Sequence, residues 1–287
     1  MCLECVPNAE NRCECVMSNE VALSSVEHWM LASLSLTRRE VVRFLRQRSR
    51  VVGALGTPIV FWLVIGSGLH NSFQYVAAAG AVETGNYLRY AFPGTMALIV
   101  MFTAIFSTIS VIEDRQQGFL QGVVAAPVPR SAIVFGKMLG ATVLAVLQAI
   151  PFLLLAPLVG ISLTPAVFAG TLLVLFVLGI ALSGLGLLIA WPLESTQGFH
   201  AIMNLVLVPM WLLSGAMFPP GGAAKWLTWI MFVNPLTYGV TALRQALYLG
   251  DMSGLPAALP MWGAIAVTLA FAALMTILAA RIVDKRN

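Results

Sequence analysis

Charge is scarce in this sequence. Asp, Glu, Lys and Arg make up 10% of its 287 residues while 59% are hydrophobic, and the mean hydropathy of +0.90 lies far above that of a soluble domain. Where charge is missing matters more than how little there is. Six apolar stretches, Val51–Leu69, Ala91–Ile112, Met138–Ile161, Ala166–Trp191, Ala201–Phe218 and Met261–Ala280, hold no Asp, Glu, Lys or Arg. Each comes close to the length of about twenty residues that crosses a bilayer. With no ionisable group inside the spans, a proton or sodium relay is disfavoured. A phosphate-binding loop is missing too. Gly136-Lys137 is followed by Met138 where Ser or Thr is required, and Ser131 stands where the first Gly belongs. No basic-then-apolar leader opens the chain.

Cysteine is confined to the head, as Cys2, Cys5, Cys13 and Cys15. Four thiols suffice for a tetrahedral zinc site, but the spacer of seven is short, no histidine lies nearby and no apolar core surrounds them. Residues 1–26 are therefore read as an unstructured cytoplasmic head with free thiols and no metal, those four being the only candidate ligands. Residues 27–50 read as an amphipathic interfacial helix. Trp29, Leu34, Val41, Phe44 and Leu45 form its apolar side, and Arg38, Arg39, Arg43, Arg46, Arg48 and Arg50 its charged side, suited to acidic headgroups. The six-span body follows over 51–280, with a tail over 281–287. Of the 16 Lys and Arg residues, Arg89, Lys225 and Arg244 alone fall on the proposed outer side. Both termini are therefore expected in the cytoplasm, and the basic balance needs no nucleic acid to explain it. Gln148, His200 and Asn204, the polar residues in or at the spans, read as helix–helix contacts.

Two loops carry the remaining signal. Between spans two and three, Glu113 and Asp114 suit the N-terminus of a short helix. Phe119 with Val123 and Leu120 with Val124 give it an apolar flank, and Pro127 and Pro129 stop it. An amphipathic helix held in water between two spans is shaped to be gripped by a soluble partner. Between spans five and six, Ala223–Val233 is apolar but too short to cross. Asn234-Pro235 then makes a strong helix start, with an end at Gly250. Two short helices there predict a hairpin re-entering the outer leaflet.

The wording of these loops resembles a known family. Glu113-x-Arg115-x-x-Gly118-Phe119-Leu120, Ala126-Pro127-Val128-Pro129-Arg130 and Gly136-Lys137 are similar to the signature loop of ABC-2 type permeases, the membrane subunits of ATP-binding-cassette exporters. The nearest wording is that of the drug-resistance and nodulation-factor export branch; Gln121 departs from it, since many relatives are charged there. Ser214-Gly215-x-x-Phe218-Pro219 and Asn234-Pro235-Leu236-Thr237-Tyr238, with Arg244 beyond, resemble the C-terminal pattern of the same permeases. The resemblance implies an all-α membrane protein of six spans, with the interfacial helix, a coupling helix over 113–126 and the outer hairpin. It implies partner-coupling roles for Glu113, Asp114, Arg115, Gln116, Gly118, Phe119, Leu120, Pro127 and Arg130. Outer-gate roles fall on Phe218, Pro219, Asn234, Pro235, Tyr238 and Arg244. It also implies a non-catalytic subunit of the bacterial inner membrane, pairing with a second permease copy and two copies of an ATPase that carries the ATP and Mg. The expected cargo is amphipathic or hydrophobic, with a polysaccharide or glycolipid as the alternative within the family. A secondary transporter or channel subunit is the alternative outside it.

Overall fold

The computed structural model describes residues 5–7, 13–15, 25–68, 74–76, 82–84, 87–119, 129–218, 224–248 and 260–285. Helix dominates. α1 (Ser25–Arg46) breaks at Gln47 and gives way to α2 (Arg48–Gly68). α3 (Tyr87–Ser107) passes through a single turn at Thr108 into α4 (Ile109–Gln116). There follow α5 (Arg130–Leu153), a 3-10 turn at Ala156–Val159, α6 (Pro165–Ala190), α7 (Thr196–Trp211), α8 (Lys225–Val233), α9 (Pro235–Leu247) and α10 (Met261–Lys285). Two short antiparallel hairpins accompany them, β1 (Cys5–Pro7) with β2 (Cys13–Cys15) and β3 (Gln74–Val76) with β4 (Val82–Thr84).

Among the described residues, six helices are long and apolar enough to cross a membrane: Val51–Gly68, Tyr87–Gln116, Arg130–Leu153, Pro165–Ala190, Thr196–Ala216 and Met261–Val283. Their number and order match the apolar stretches, but several limits move, two of them across charged residues. The second helix runs on to Gln116 and the third begins at Arg130, so Asp114 and Lys137 lie inside helices that the apolar count had ended or not yet begun. Prolines set several starts. Thr164 accepts a hydrogen bond from Val167 N as N-cap of α6, with Pro165 at the first helical position.

α3 forms the axis of the bundle. Seventeen of its 21 residues are buried, from Tyr87 to Ser107, and α2, α5, α6 and α9 pack around it. Phe92, Trp62 and Phe152 meet at its centre, Phe92 and Phe152 stacked at 4.6 Å and Trp62 edge-on to both. Outside this core lies α1 against α5. Its packed face mixes Ser33, Thr37 and Glu40 with apolar Leu36 and Phe44. Ser33 and Thr37 hydroxyls donate to the carbonyls of Ala132 and Gly136 at 3.2 and 3.1 Å. Gly136 admits this approach, since a Cβ there would sit 2.8 Å from the Ser33 carbonyl. Of the apolar side expected for this helix, Phe44 is buried, while Leu34 and Leu45 are exposed with Met30, Leu31 and Val42. The helix therefore shows three sides: mixed toward α5, apolar outward and basic toward α4.

Candidate functional site

The basic side of α1 meets the end of α4. Asp114 is fully buried; Arg39 donates to both its oxygens, at 3.0 and 2.8 Å, and Arg43 donates to it at 2.8 Å while its other arm reaches Glu113 at 2.8 Å. From α5, Lys137 donates to Asp114, to Glu40 at 2.5 Å and to the Ser110 hydroxyl at 3.2 Å. Arg39, Arg43 and Lys137 thus face Glu40, Glu113 and Asp114, three cations against three anions from three helices. Buried charge is tolerated only when paired and hydrogen-bonded, and here the balance is complete. Hydrogen bonding to Asp114 raises the Arg39 pKa above its ordinary value.

This geometry corrects one expectation. Glu113 and Asp114 do not open a new helix but sit in the last turns of the second membrane-length helix. Carboxylates are disfavoured at a helix C-terminus by about 0.3–1 kcal/mol, and three adjacent cations outweigh that cost. The helix stops where Gln117 donates to the Glu113 carbonyl and Gly118 to the Arg115 carbonyl, with Gly118 at φ +74° in the left-handed region. The spans also prove not wholly charge-free, since Asp114 and Lys137 lie within them, neutralised where they end.

The neighbouring residues turn the other way. Arg115 donates to the carbonyls of Trp191 (2.8 Å) and Leu193 (3.2 Å) beyond the end of α6, its guanidinium 5.4 Å from the Trp191 ring. Gln116 Nε2 donates to the Glu194 carbonyl at 2.7 Å. Phe119 is part-exposed with the Arg39 guanidinium 3.7 Å over its ring. Arg130 opens α5. Leu120 and Pro127, with Val123 and Val124 of the expected apolar flank, lie outside the described residues. The structure thus brings Glu113, Asp114, Arg115, Gln116 and Phe119 into one junction. It adds Arg39, Glu40 and Arg43, which the loop pattern did not mark, and Lys137, which that pattern holds without a role assigned to it. The available signal was Ser33, Thr37 and Glu40, small or polar residues at helical spacing opposite the Gly136–Gly140 pair.

At the far end, α7 loses its regular winding in a π-helical stretch, Leu212–Ala216, with Gly215 at φ +75°. Side chains from other helices take up the freed carbonyls. Tyr90 OH donates to Gly215 O at 2.9 Å, Arg244 donates to the same oxygen at 3.2 Å while lying 4.4 Å from the Tyr90 ring, and Tyr87 OH donates to Met217 O at 3.1 Å. Asn234 caps α9 by accepting from Leu236 N and donates through Nδ2 to Met210 O at 2.6 Å. Pro235 begins α9, and Tyr238 donates to Phe232 O. Phe218 is half-buried just past the break, and Pro219 lies outside the described residues. Trp226 and Trp229 of α8 are exposed.

Of the polar span residues, Gln148 accepts from the Thr103 hydroxyl at 2.6 Å, the expected interhelical bond. His200 lies 5.1 Å from the Phe106 ring. Asn204 instead points outward from α7. Cys2 lies outside the described residues, and Cys5, Cys13 and Cys15 fall in β1 and β2.

The profile of the ABC-2 type transporter family matches residues 32–248, a range that holds both the charged junction and the broken helix. Relatives include the transport permease ycf38 of Cyanophora paradoxa, 26% identical over 211 residues, 73% of this chain and 71% of that protein. The multidrug ABC transporter permease YbhR of Escherichia coli is 29% identical over 173 residues, 58% of this chain and 46% of YbhR, so the match takes in less than half of that protein. Nodulation protein J of Rhizobium leguminosarum is 26% identical over 199 residues, 69% of this chain and 74% of its own.

Proposed function

Because the chain belongs to the ABC-2 type transporter family, whose permeases work with a nucleotide-binding ATPase subunit, we propose that it is the membrane subunit of an ATP-driven exporter. In this reading two copies of the chain pair in the bacterial inner membrane with two ATPase copies. The ATPases hold the ATP and Mg and carry out the hydrolysis. The crowding of Arg and Lys at the α1 end supports a cytoplasmic position for that end and for both termini.

The observation that carries the reading is the junction under the 117–129 loop. The root of that loop is fastened to α1 by Arg39 and Arg43, to α5 by Lys137 and to the end of α6 by Arg115. A push from a soluble partner on a root so fastened passes into several spans together. Only a partner that binds the two states of the permease with different affinity drives the change. At the far end, the break at Leu212–Ala216 serves as the outer gate, held by Tyr90, Asn234 and Arg244. The neutral outward faces of the spans favour an amphipathic or hydrophobic cargo, as does the likeness to a permease named for multidrug transport. Exposed Trp226 and Trp229 keep a glycolipid as the second reading, since sugar rings stack on such surfaces.

The test is a pair of variants in lipid nanodiscs with the ATPase subunit. Burying one Phe or Leu side chain contributes about 1.5–3 kcal/mol, so Phe119→Ala with Leu120→Ala should weaken co-purification of the ATPase by a decade or more. Glu113→Lys should insert, retain some partner and lose most substrate-stimulated hydrolysis, because it places a cation beside Arg43. If both hydrolyse ATP and transport like the parent, the loop is not the contact and the exporter reading loses its support.

A further inference from the structure

α7 touches the rest of the chain along one ridge. Its buried residues are Phe199, Met203, Leu207 and Trp211, each four residues from the next, while Ile202, Leu205, Val206 and Val208 are exposed. A helix seated on a single row of side chains pivots more readily than one wedged on two sides. Both ends of this one are tied. At the far end, Trp211 Nε1 donates to Gly94 O at 2.8 Å and Asn234 Nδ2 to Met210 O at 2.6 Å. At the near end, Arg115 and Gln116 reach the turn between α6 and α7 at Trp191, Leu193 and Glu194, and Ser195 caps α7 by accepting from Gly198 N. The acceptors of Arg115 and Gln116 are all backbone carbonyls, so this tie grips the path of the chain rather than any side chain. A cation there also suits the C-terminus of α6, whose last carbonyls have no partner within the helix.

We propose that Arg115 and Gln116 form a latch that makes α7 travel with the root of the 117–129 loop, swinging about its ties at Gly94 and Asn234. Glu113 and Asp114 hold that root to α1 and α5, while Arg115 and Gln116, the next two residues, pass its movement to the fifth span. The inference rests on the reading of the loop as the ATPase contact. Both are positioning residues, acting through the turn at 191–194.

The experiment measures α7 directly. In a chain whose four cysteines are replaced by Ser, spin labels at Leu205→Cys on α7 and Leu147→Cys on α5, both exposed positions, report the α7–α5 distance with and without ATP in nanodiscs holding the ATPase. The parent distance should shift on ATP addition. Arg115→Ala with Gln116→Ala should abolish that shift and cut transport about tenfold, within the usual range of coupling between sites, with the ATPase still bound. Arg115→Lys, able to reach one carbonyl, should restore part of both. In a second measurement, Gln116→Cys and Glu194→Cys joined by a short bifunctional thiol reagent should leave transport intact, because a latch that travels as a unit tolerates being locked. Retained movement and transport in the double alanine variant overturn the latch and leave the loop reading standing. So does a parent that hydrolyses ATP with a motionless label pair, or a cross-linked pair that stops transport. Loss of the ATPase from the double variant also overturns it, by showing that these side chains face the partner. A parent that binds no ATPase overturns both readings.

Discussion

Lys137 shows most clearly what a single residue does in this protein. It is 5% exposed and faces two carboxylates, Asp114 at 0% and Glu40 at 6%. Removing one partner of a buried ionic group costs about 3–5 kcal/mol, because the remaining charge keeps its desolvation penalty. Lys137→Met should therefore lower the thermal unfolding midpoint in detergent by an amount consistent with that loss. Adding Glu40→Gln should recover part of it, since Asp114 keeps Arg39 and Arg43 while Glu40 is left with Arg39 at 3.4 Å. Equal midpoints for parent and single variant would reduce the cluster to an incidental ion pair. Both ends of the Asp114–Lys137 pair stood out in the sequence, one as a helix start and one beside Gly136, yet neither reading reached their true role. Arg39 and Arg43 lie more than 70 residues from Asp114 in sequence. No local pattern brings a charge to a partner at that separation; only the packing of α1 on α5 does so.

At the scale of elements, most of the fold was legible. Apolar length fixed the six spans, Thr164-Pro165 the turn before α6, and Asn234-Pro235 the start of α9. The two limits that moved across Asp114 and Lys137 did so because a helix continues through charged residues once they are neutralised across a packed interface, which apolar counting cannot see. The seating of α1 was hidden for the same reason. Its contact face depends on Gly136, and a glycine in an apolar run gives no sign of what lies against it. Gly136→Val should force α1 away from α5 and break the ring contact between Trp29 and Phe135, now 5.1 Å apart. A red shift in Trp29 fluorescence, in a chain with the other tryptophans replaced by Phe, would report it; an unchanged spectrum would mean that α1 adjusts without moving. Asn234→Ala makes a gentler change at the far end. It removes a cap worth about 1 kcal/mol and leaves the Met210 carbonyl without its donor. Amide exchange should quicken in the first turn of α9 while the ATPase still co-purifies, whereas loss of the ATPase would assign the far-end helices another task.

For the whole molecule, the question is what covers α7. A membrane-spanning helix can leave apolar residues to lipid, and Ile202, Leu205 and Val208 do so without cost. Asn204 lies on the same outward side, and its amide finds no hydrogen-bonding partner in hydrocarbon, where an unpaired polar group is expensive. Within a pair of chains related by a two-fold axis the same patch meets itself, so one Asn204 can bond to the other. Interhelical hydrogen bonds of this kind contribute about 0.6–2 kcal/mol in membranes. The homodimer reading therefore predicts that Asn204→Leu shifts the monomer–dimer balance severalfold toward monomer in detergent. It also predicts that Asn204→Cys, in a chain free of other cysteines, cross-links into dimers under mild oxidation. Val60→Cys on the exposed side of α2 serves as the comparison and should cross-link poorly. Efficient cross-linking at Val60 with none at Asn204 would move the dimer contact to α2 and leave Asn204 facing the cargo instead of a second chain.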